Sequence, residues 1–329
     1  MKKALLATTA LVLSAGVAAA DVTISGYGRT GIIYYEDANT LAGTKDTQVS
    51  SRLRMNIDAS TETDAGVEFG ARFRLQWDQG DNTTGSNPAK IWVRAQGLTV
   101  EVGNVDTAMD SAGLIYAHDL GSYDRSGAFD TGVGLSANAG NFYAYSAKNY
   151  GGDNDRLGVA ATYSFGDLTV RGSYVTPDQT GLVSVEKELG VSVDYKWDNR
   201  LELSAAYTDN AGGNDGEDLF FLGARYAVLD NARIGLSYFN ADDTIIVGDT
   251  FDAAFGQTFA LYGDYTLADG LTNIEAYVAN NDGDWEGKET DNAFGIGVNY
   301  DLGGARLGAS IHRDYSELVT VDAGVRFEF

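Results

Sequence analysis

The chain has 329 residues, no cysteine, two prolines, 41 glycines and a formal charge of −24, from 47 Asp+Glu against 23 Lys+Arg. A disulfide framework, a thiolate nucleophile and Cys-ligated zinc are therefore excluded, and so acidic a surface repels phosphate backbones, which counts against nucleic-acid binding. At 44% hydrophobic the chain is not disordered, and abundant Gly and Tyr with scarce Pro point to a large β-protein, away from a helical enzyme.

Lys2 and Lys3 precede an apolar stretch from Ala4 to Val17 and the small residues Ala18, Ala19 and Ala20. This is the pattern of a secretion signal cleaved after Ala20. The stretch is too short for a membrane anchor and no stop-transfer pattern follows. The expected organisation is a signal at 1–20 and a single domain at 21–329.

Gly26-Tyr-Gly-Arg-Thr-Gly31 fits the dinucleotide fingerprint G-x-G-x-x-G. Alternation runs straight through it into Ile32, Ile33 and Tyr34 and no helix opens, so it reads as a strand with close-packed glycines. In the next strand Arg52, Arg54 and Asn56 oppose Leu53, Met55 and Ile57. In the third, Arg72, Arg74 and Gln76 oppose Phe69, Ala71, Phe73 and Leu75. With Arg29 and Arg94 these arginines share the polar parity, and adjacent strands would present a guanidinium ladder on one wall. Like charges side by side need water or opposing carboxylates. The alternative is scattered arginines paired to Asp58, Glu68 and Glu101.

Compensation is expected from the longest non-alternating stretch, Asn104 to Asp130, which holds Asp106, Asp110, Asp119, Asp124 and Asp130. At its middle lies the apolar patch Ala112-Gly-Leu-Ile-Tyr-Ala117, of little use in a solvated loop. Folded into a barrel, it would pack on the inner wall and turn the aspartates toward the arginines. An external lid or a subunit contact is the other reading. Opposed charges across a constriction set up a transverse field and limit pore size.

From residue 157 a hairpin plan repeats. Leu157 to Phe165, a turn at Gly166-Asp167 and Leu168 to Tyr174 make one copy. Leu189 to Trp197, a turn at Asp198-Asn199 and Arg200 to Tyr207 make another. Leu157, Val159, Ala161, Tyr163 and Phe165 share one face, against Arg156, Gly158, Ala160, Thr162 and Ser164. Leu307, Ala309 and Ile311 likewise oppose Arg306, Gly308, Ser310 and His312. A soluble sandwich would bury the oily face, whereas a membrane barrel turns it to lipid. Phe165, Trp197, Tyr226, Tyr265 and Tyr300 sit just before short turns, and the chain ends on Phe327 and Phe329, as an interfacial girdle requires. The alternating terminus VDAGVRFEF would be an exposed edge in a soluble protein but closes a barrel.

Eight short turns, near 62–65, 97, 140, 166, 198, 230, 269 and 303, imply eighteen strands and a barrel wide enough for an aqueous channel. Pro88 and Pro177 are expected in loops. His118 and His312 are the only histidines, so a His-based metal site is improbable, and His312 with Asp314 reads as a pore-lining pair. Asn280 to Asp284 resembles part of a calcium loop but lacks the required Gly. Acidic loops could still collect Ca²⁺ or Mg²⁺ that bridges lipid phosphates; no other cofactor is expected.

Together these features resemble the general porins of Gram-negative outer membranes, closest to the alphaproteobacterial, Rhodobacter-type family. The resemblance rests on Ser50-Ser-Arg-Leu-Arg54, Thr63-Asp-Ala-Gly-Val-Glu-Phe-Gly-Ala71, Val102-Gly-Asn104, Asn299-Tyr-Asp-Leu-Gly-Gly304 and Ala323-Gly-Val-Arg-Phe-Glu-Phe329. It implies an all-β transmembrane antiparallel barrel of sixteen strands, an inward-folded third loop forming the eyelet, a homotrimer, and passive diffusion of small hydrophilic solutes. It implies residence among outer-membrane lipid and lipopolysaccharide. The arginines of the first four strands would match the cationic wall, the loop aspartates its opposite, and Phe329 the terminal aromatic read by the outer-membrane assembly machinery. A barrel enzyme of protease or lipase type and a secreted β-rich surface protein are the alternatives; no catalytic residues are assigned.

Overall fold

The computed structural model describes residues 21–36, 45–79, 85–117, 120, 157–176, 179, 186–213, 215–216, 218–246, 252–284 and 288–329. The signal at 1–20, Asp119, Asp124, Asp130, Pro177 and the turn expected near 140 lie outside them.

The strands are β1 Asp21–Tyr35, β2 Thr47–Glu62, β3 Glu68–Asp78, β4 Gly85–Ala95, β5 Leu98–Gly103, β6 Leu157–Phe165, β7 Leu168–Thr176 and β8 Glu188–Trp197. They continue as β9 Leu201–Asp209, β10 Leu219–Leu229, β11 Ala232–Ile246, β12 Asp252–Thr266, β13 Thr272–Asn281, β14 Asn292–Asp301, β15 Ala305–Arg313 and β16 Val319–Glu328. Each pairs antiparallel with the next, and β16 pairs with β1 to close the ring. The barrel thus has sixteen strands. The count of eighteen is corrected by the register: β5 pairs directly with β6, Val100 opposite Ala161, and no strand stands between them.

Period-two alternation meets lipid on one side and water on the other, and the described strands carry it through. Tyr163, Leu189 and Ile311 are about half exposed on the outer face, while Ser173, Ser204, Ser310 and His312 are buried within. Such an outward apolar band fits a membrane barrel and not a soluble surface protein. The aromatics before the short turns point outward, from Phe165 and Trp197 to Phe327 and Phe329.

The short turns use residues that tolerate left-handed backbone. Gln96 and Gly97 have φ of 50° and 82°, and Asp198 and Asn199 have 50° and 53°, the two-residue geometry whose twist matches the flanking strands. Pro88 departs from expectation: it falls inside β4, at a register shift opposite Arg72 and Arg74, where a bulge removes the need for its missing N–H.

The seam explains the glycine fingerprint. Gly26 and Phe329 exchange backbone hydrogen bonds of 2.8 and 3.0 Å. A Cβ on Gly28 would lie 2.5 Å from Phe327 Cζ, and one on Gly31 would lie 2.4 Å from the Ala323 carbonyl oxygen. The glycines let the last strand lie flat against the first.

Candidate functional site: a charged constriction

After Gly103 the chain leaves the wall and turns into the lumen. Ser111 N–H donates to Thr107 O at 3.0 Å, and Ile115 N–H to Ala112 O at 3.1 Å, giving a run of tight turns. Three contacts pin this segment to the inner wall. Ala108 N–H donates to Ser173 Oγ on β7 at 2.9 Å, Gly113 N–H to Asp194 Oδ1 on β8 at 2.9 Å, and Arg225 Nη1 on β10 to Ala117 O at 2.9 Å.

Met109, Leu114 and Ile115 between the pins, and Leu120 beyond them, are buried against inward Phe221, Phe239, Tyr262 and Tyr277. Burying such side chains contributes about 1.5–3 kcal/mol each. Ala112, Leu114, Ile115 and Ala117 of the apolar patch therefore pack inside the barrel, while Tyr116 stays exposed. The lumen wall is accordingly not polar throughout: β10 to β13 turn aromatics inward to receive the loop.

The cations of β1 to β4 line the inner parity. Arg72 grips Asp58 with two bonds, Nε–Oδ1 at 2.8 Å and Nη2–Oδ2 at 3.2 Å. Arg74 Nε donates to Asn56 Oδ1 at 2.9 Å, Arg54 Nε to Gln76 Oε1 at 2.7 Å, and Arg52 pairs with Asp78. Arg29 stands opposite Arg52 in the register. Amides and carboxylates thus interleave the ladder, the arrangement that lets like charges share a face. Arg94 is set apart: it bonds Glu68 at 3.3 Å and Thr99 at 3.2 Å beside the short turns. Of the paired alternatives, Asp58 and Glu68 do meet arginines, while Glu101 meets Lys90 at 2.9 Å.

Of the expected loop acids, Asp106 and Asp110 are described. Lys90 Nζ bonds Asp106 Oδ2 at 3.4 Å. Asp110 accepts from Tyr116 Oη at 2.5 Å. Burial pushes the Asp110 carboxyl up from its ordinary pKa, the Tyr116 bond opposes, Asp106 adds to the rise, and Arg74 and Lys90 pull it down.

Several participants were missed in the sequence. Asp194 gathers Arg171, Ser204 Oγ at 2.6 Å and the loop amide of Gly113. Arg225 joins Glu202 at 2.6 Å to the loop carbonyl. Inward parity on β7, β8 and β10 was the available signal, since Arg171, Asp194 and Arg225 each stand among small or polar alternates. Asp314 serves the turn after β15, accepting Ser316 N–H at 2.9 Å and Leu318 N–H at 3.1 Å, while His312 is buried on the inward face. Asp282 likewise accepts Gln257 N–H at 2.6 Å. Among the described residues no cluster of three His, Asp or Glu side chains is arranged to hold a metal ion.

Residues 7–284 match a model of the Gram-negative porins. The porin of Fuscovulum blasticum is 38% identical over 315 residues, covering 94% of this chain and 100% of its own length. The Rhodobacter capsulatus porin is 26% identical over 342 residues, with the same coverages. A solved triple mutant of the Rhodopseudomonas blastica porin superposes with a TM-score of 0.80 at 37% identity, over 94% of this chain and all of that one.

Proposed function

The chain belongs to the Gram-negative porin family, and on that footing we propose that its channel sorts ions and small hydrophilic solutes by the charged constriction described above. The protein is an outer-membrane channel for passive diffusion. Arg29, Arg52, Arg54, Arg72 and Arg74, with Lys90, form the cationic side, and Asp106 and Asp110 of the inward loop form the anionic side. A solute crossing between them meets a transverse field in a narrowed, water-filled gap, where field and width together select. Arg94 and the aspartates at 119, 124 and 130 belong to the same expected set, with Arg94 toward the short-turn mouth.

The observation that carries this reading is the loop's anchorage: three hydrogen bonds and a buried apolar cluster hold the loop inside the barrel, where Asp106 meets Lys90 at 3.4 Å. The test is a planar-bilayer measurement of reversal potential in a KCl gradient. Replacing Arg52, Arg54 and Arg72 by Gln lowers the preference for anions. Unchanged selectivity would remove the arginines from the mechanism.

Residues 1–20 are read as a signal cleaved on export, and Phe329 as the terminal aromatic presented to the assembly machinery. The protein assembles as a homotrimer among lipid and lipopolysaccharide. One feature of the outer face supports a subunit contact near β1 and β2. Thr30 Oγ1 and Ser51 Oγ form an exposed 2.8 Å hydrogen bond there, a polar pair that hydrocarbon disfavours.

A further inference from the structure

The wall of arginines read from β1 to β4 continues across the seam, because closure sets β16 and β15 beside β1. One register row runs Asp78, Arg52, Arg29, Arg326, Arg306, Asp301 across β3, β2, β1, β16, β15 and β14. All six are on the inward parity. Arg29 and Arg326 each have an arginine as cross-strand neighbour on both sides. Like charges placed directly opposite destabilise a sheet, so a row of four has to be held by something.

Tyr27 is placed to hold it. Its buried ring lies under two guanidiniums, Arg326 at 4.7 Å and Arg54 at 5.2 Å from the centroid, and its hydroxyl accepts from Arg52 Nη1 at 3.5 Å. An aromatic face attracts a guanidinium through its quadrupole without neutralising it. A carboxylate in that place would have cancelled the charge.

Each strand crossing is about 4.8 Å, and at a tilt of about 40° it raises a register row by about 3 Å, so four arginines climb on the order of 9 Å along the axis. The lower end opens beside Gly304 on a cavity of about 520 Å³ lined by Arg306, Arg326 and Arg233 and by the carboxylates Glu275, Asp301 and Glu328. The carboxylates at that cavity have partners, one of them the row's own Arg326. Asp264 holds Arg233 at 2.8 Å, Asp301 accepts Gly303 N–H at 2.7 Å, Glu275 accepts from Asn299 at 3.4 Å, and Glu328 reaches Arg326 at 3.7 Å.

We propose that Arg306, Arg326, Arg29 and Arg52, positioned by Tyr27, form an anion path that extends the constriction to the short-turn mouth and takes the carboxylate or phosphate group of small solutes. The path rests on the channel reading above and adds sites to it. Successive guanidiniums hold an oxyanion strongly enough to enter and weakly enough to hand on, the condition for conduction through a charged pore.

The test uses the purified barrel in planar bilayers, with the R306Q/R326Q variant beside the parent. Two quantities are read: the chloride-to-potassium permeability ratio from reversal potential, and the reduction of chloride current by inorganic phosphate. The variant lowers the ratio by roughly two-fold or more and weakens the phosphate effect, while the sugar exclusion limit stays, since the loop is untouched. Tyr27→Phe keeps the ring beside Arg326 and Arg54 and loses the Arg52 contact, so it lowers the ratio less than Tyr27→Leu does. Tyr27→Leu lowers the ratio with every arginine in place and with the barrel still folded by heat-modifiable gel migration, which a merely structural tyrosine would not do. Parental values of both quantities in R306Q/R326Q would overturn the proposal. Should the double variant not fold, R306Q alone, at the mouth, decides it by the same readings. Replacing Arg54 and Arg72, which lie outside the row, tests the constriction separately, so either reading can fail without the other.

Discussion

Replacing Asp194 by Ala tests whether one carboxylate on β8 sets the width of the channel. That side chain accepts the loop amide of Gly113 at 2.9 Å and Ser204 Oγ at 2.6 Å, and it pairs with Arg171. Its removal deletes hydrogen bonds to a charged acceptor, worth about 1.5–3 kcal/mol each at full burial. Both members of the ion pair keep about a fifth of their surface exposed, Arg171 at 19% and Asp194 at 20%, so lumen water rehydrates part of what is left. A cost of about 2 kcal/mol to the docked loop is the reasonable figure. That cost multiplies the undocked population by roughly 30-fold. Ser173, Arg225 and the apolar cluster remain, so the loop loosens and the barrel persists. The assay is single-channel conductance together with liposome swelling in neutral sugars of increasing size. Asp194→Ala raises conductance noise and admits larger sugars; Asp194→Asn, which keeps an acceptor for Gly113, falls between. An unchanged sugar limit in Asp194→Ala would refute the assignment of Asp194 as the loop's anchor.

Other outcomes follow from single residues. Burial holds the Asp110 carboxyl above its ordinary pKa, so its charge is present at high pH and is lost at a higher pH than an exposed aspartate would lose it. Anion preference therefore rises as pH falls through that raised value, and Asp110→Asn flattens the step in a reversal-potential titration. The sign for stability is the same: the native state binds this proton more tightly than the unfolded chain, so this group favours the fold more at acid pH. At the seam, Gly31→Val drives a Cβ to 2.4 Å from the Ala323 carbonyl oxygen and 2.7 Å from Gly324 Cα. Backbone must move, at a cost of about 1–3 kcal/mol, and the temperature at which the folded band disappears on a gel drops. Gly304→Ala, with nothing within 4 Å of its Cβ, leaves that temperature in place.

How much the sequence disclosed follows from which physics is local. Alternation in β6 and β15 is local, because lipid and water make opposite demands on successive residues. Leu157 to Phe165 and Arg306 to His312 therefore declared their faces, and the patch at Leu114 and Ile115 declared a loop that needed an apolar wall. Strand pairing across a long connection is not local. No nearby residue tells that Val100 meets Ala161, and a turn-like stretch near 140 reads locally as one more hairpin. Ring closure is the longest-range fact of all. Arg306 was visibly on the polar face, yet its place in one row with Arg29 depends on β16 lying between β15 and β1. Tyr27 escaped notice for the same reason, since one of its two guanidiniums comes from the far end of the chain. Pro88 locally disfavours a strand, and the bulge opposite Arg72 and Arg74 is where a strand can accept it.

The claim on which the rest depends is that the oily face looks at hydrocarbon and the polar face encloses water. The chain has no cysteine, so single-cysteine variants at Tyr163, Leu189 and Ile311, and at Arg54, Arg74 and Ser310, report cleanly on each side. In reconstituted vesicles the first three should resist a water-soluble thiol reagent and be quenched by lipid-borne spin labels, and the second three should react and reduce conductance. Rapid aqueous labelling at Leu189 and Ile311, with lipid quenching at Arg54 and Arg74, would contradict the channel outright.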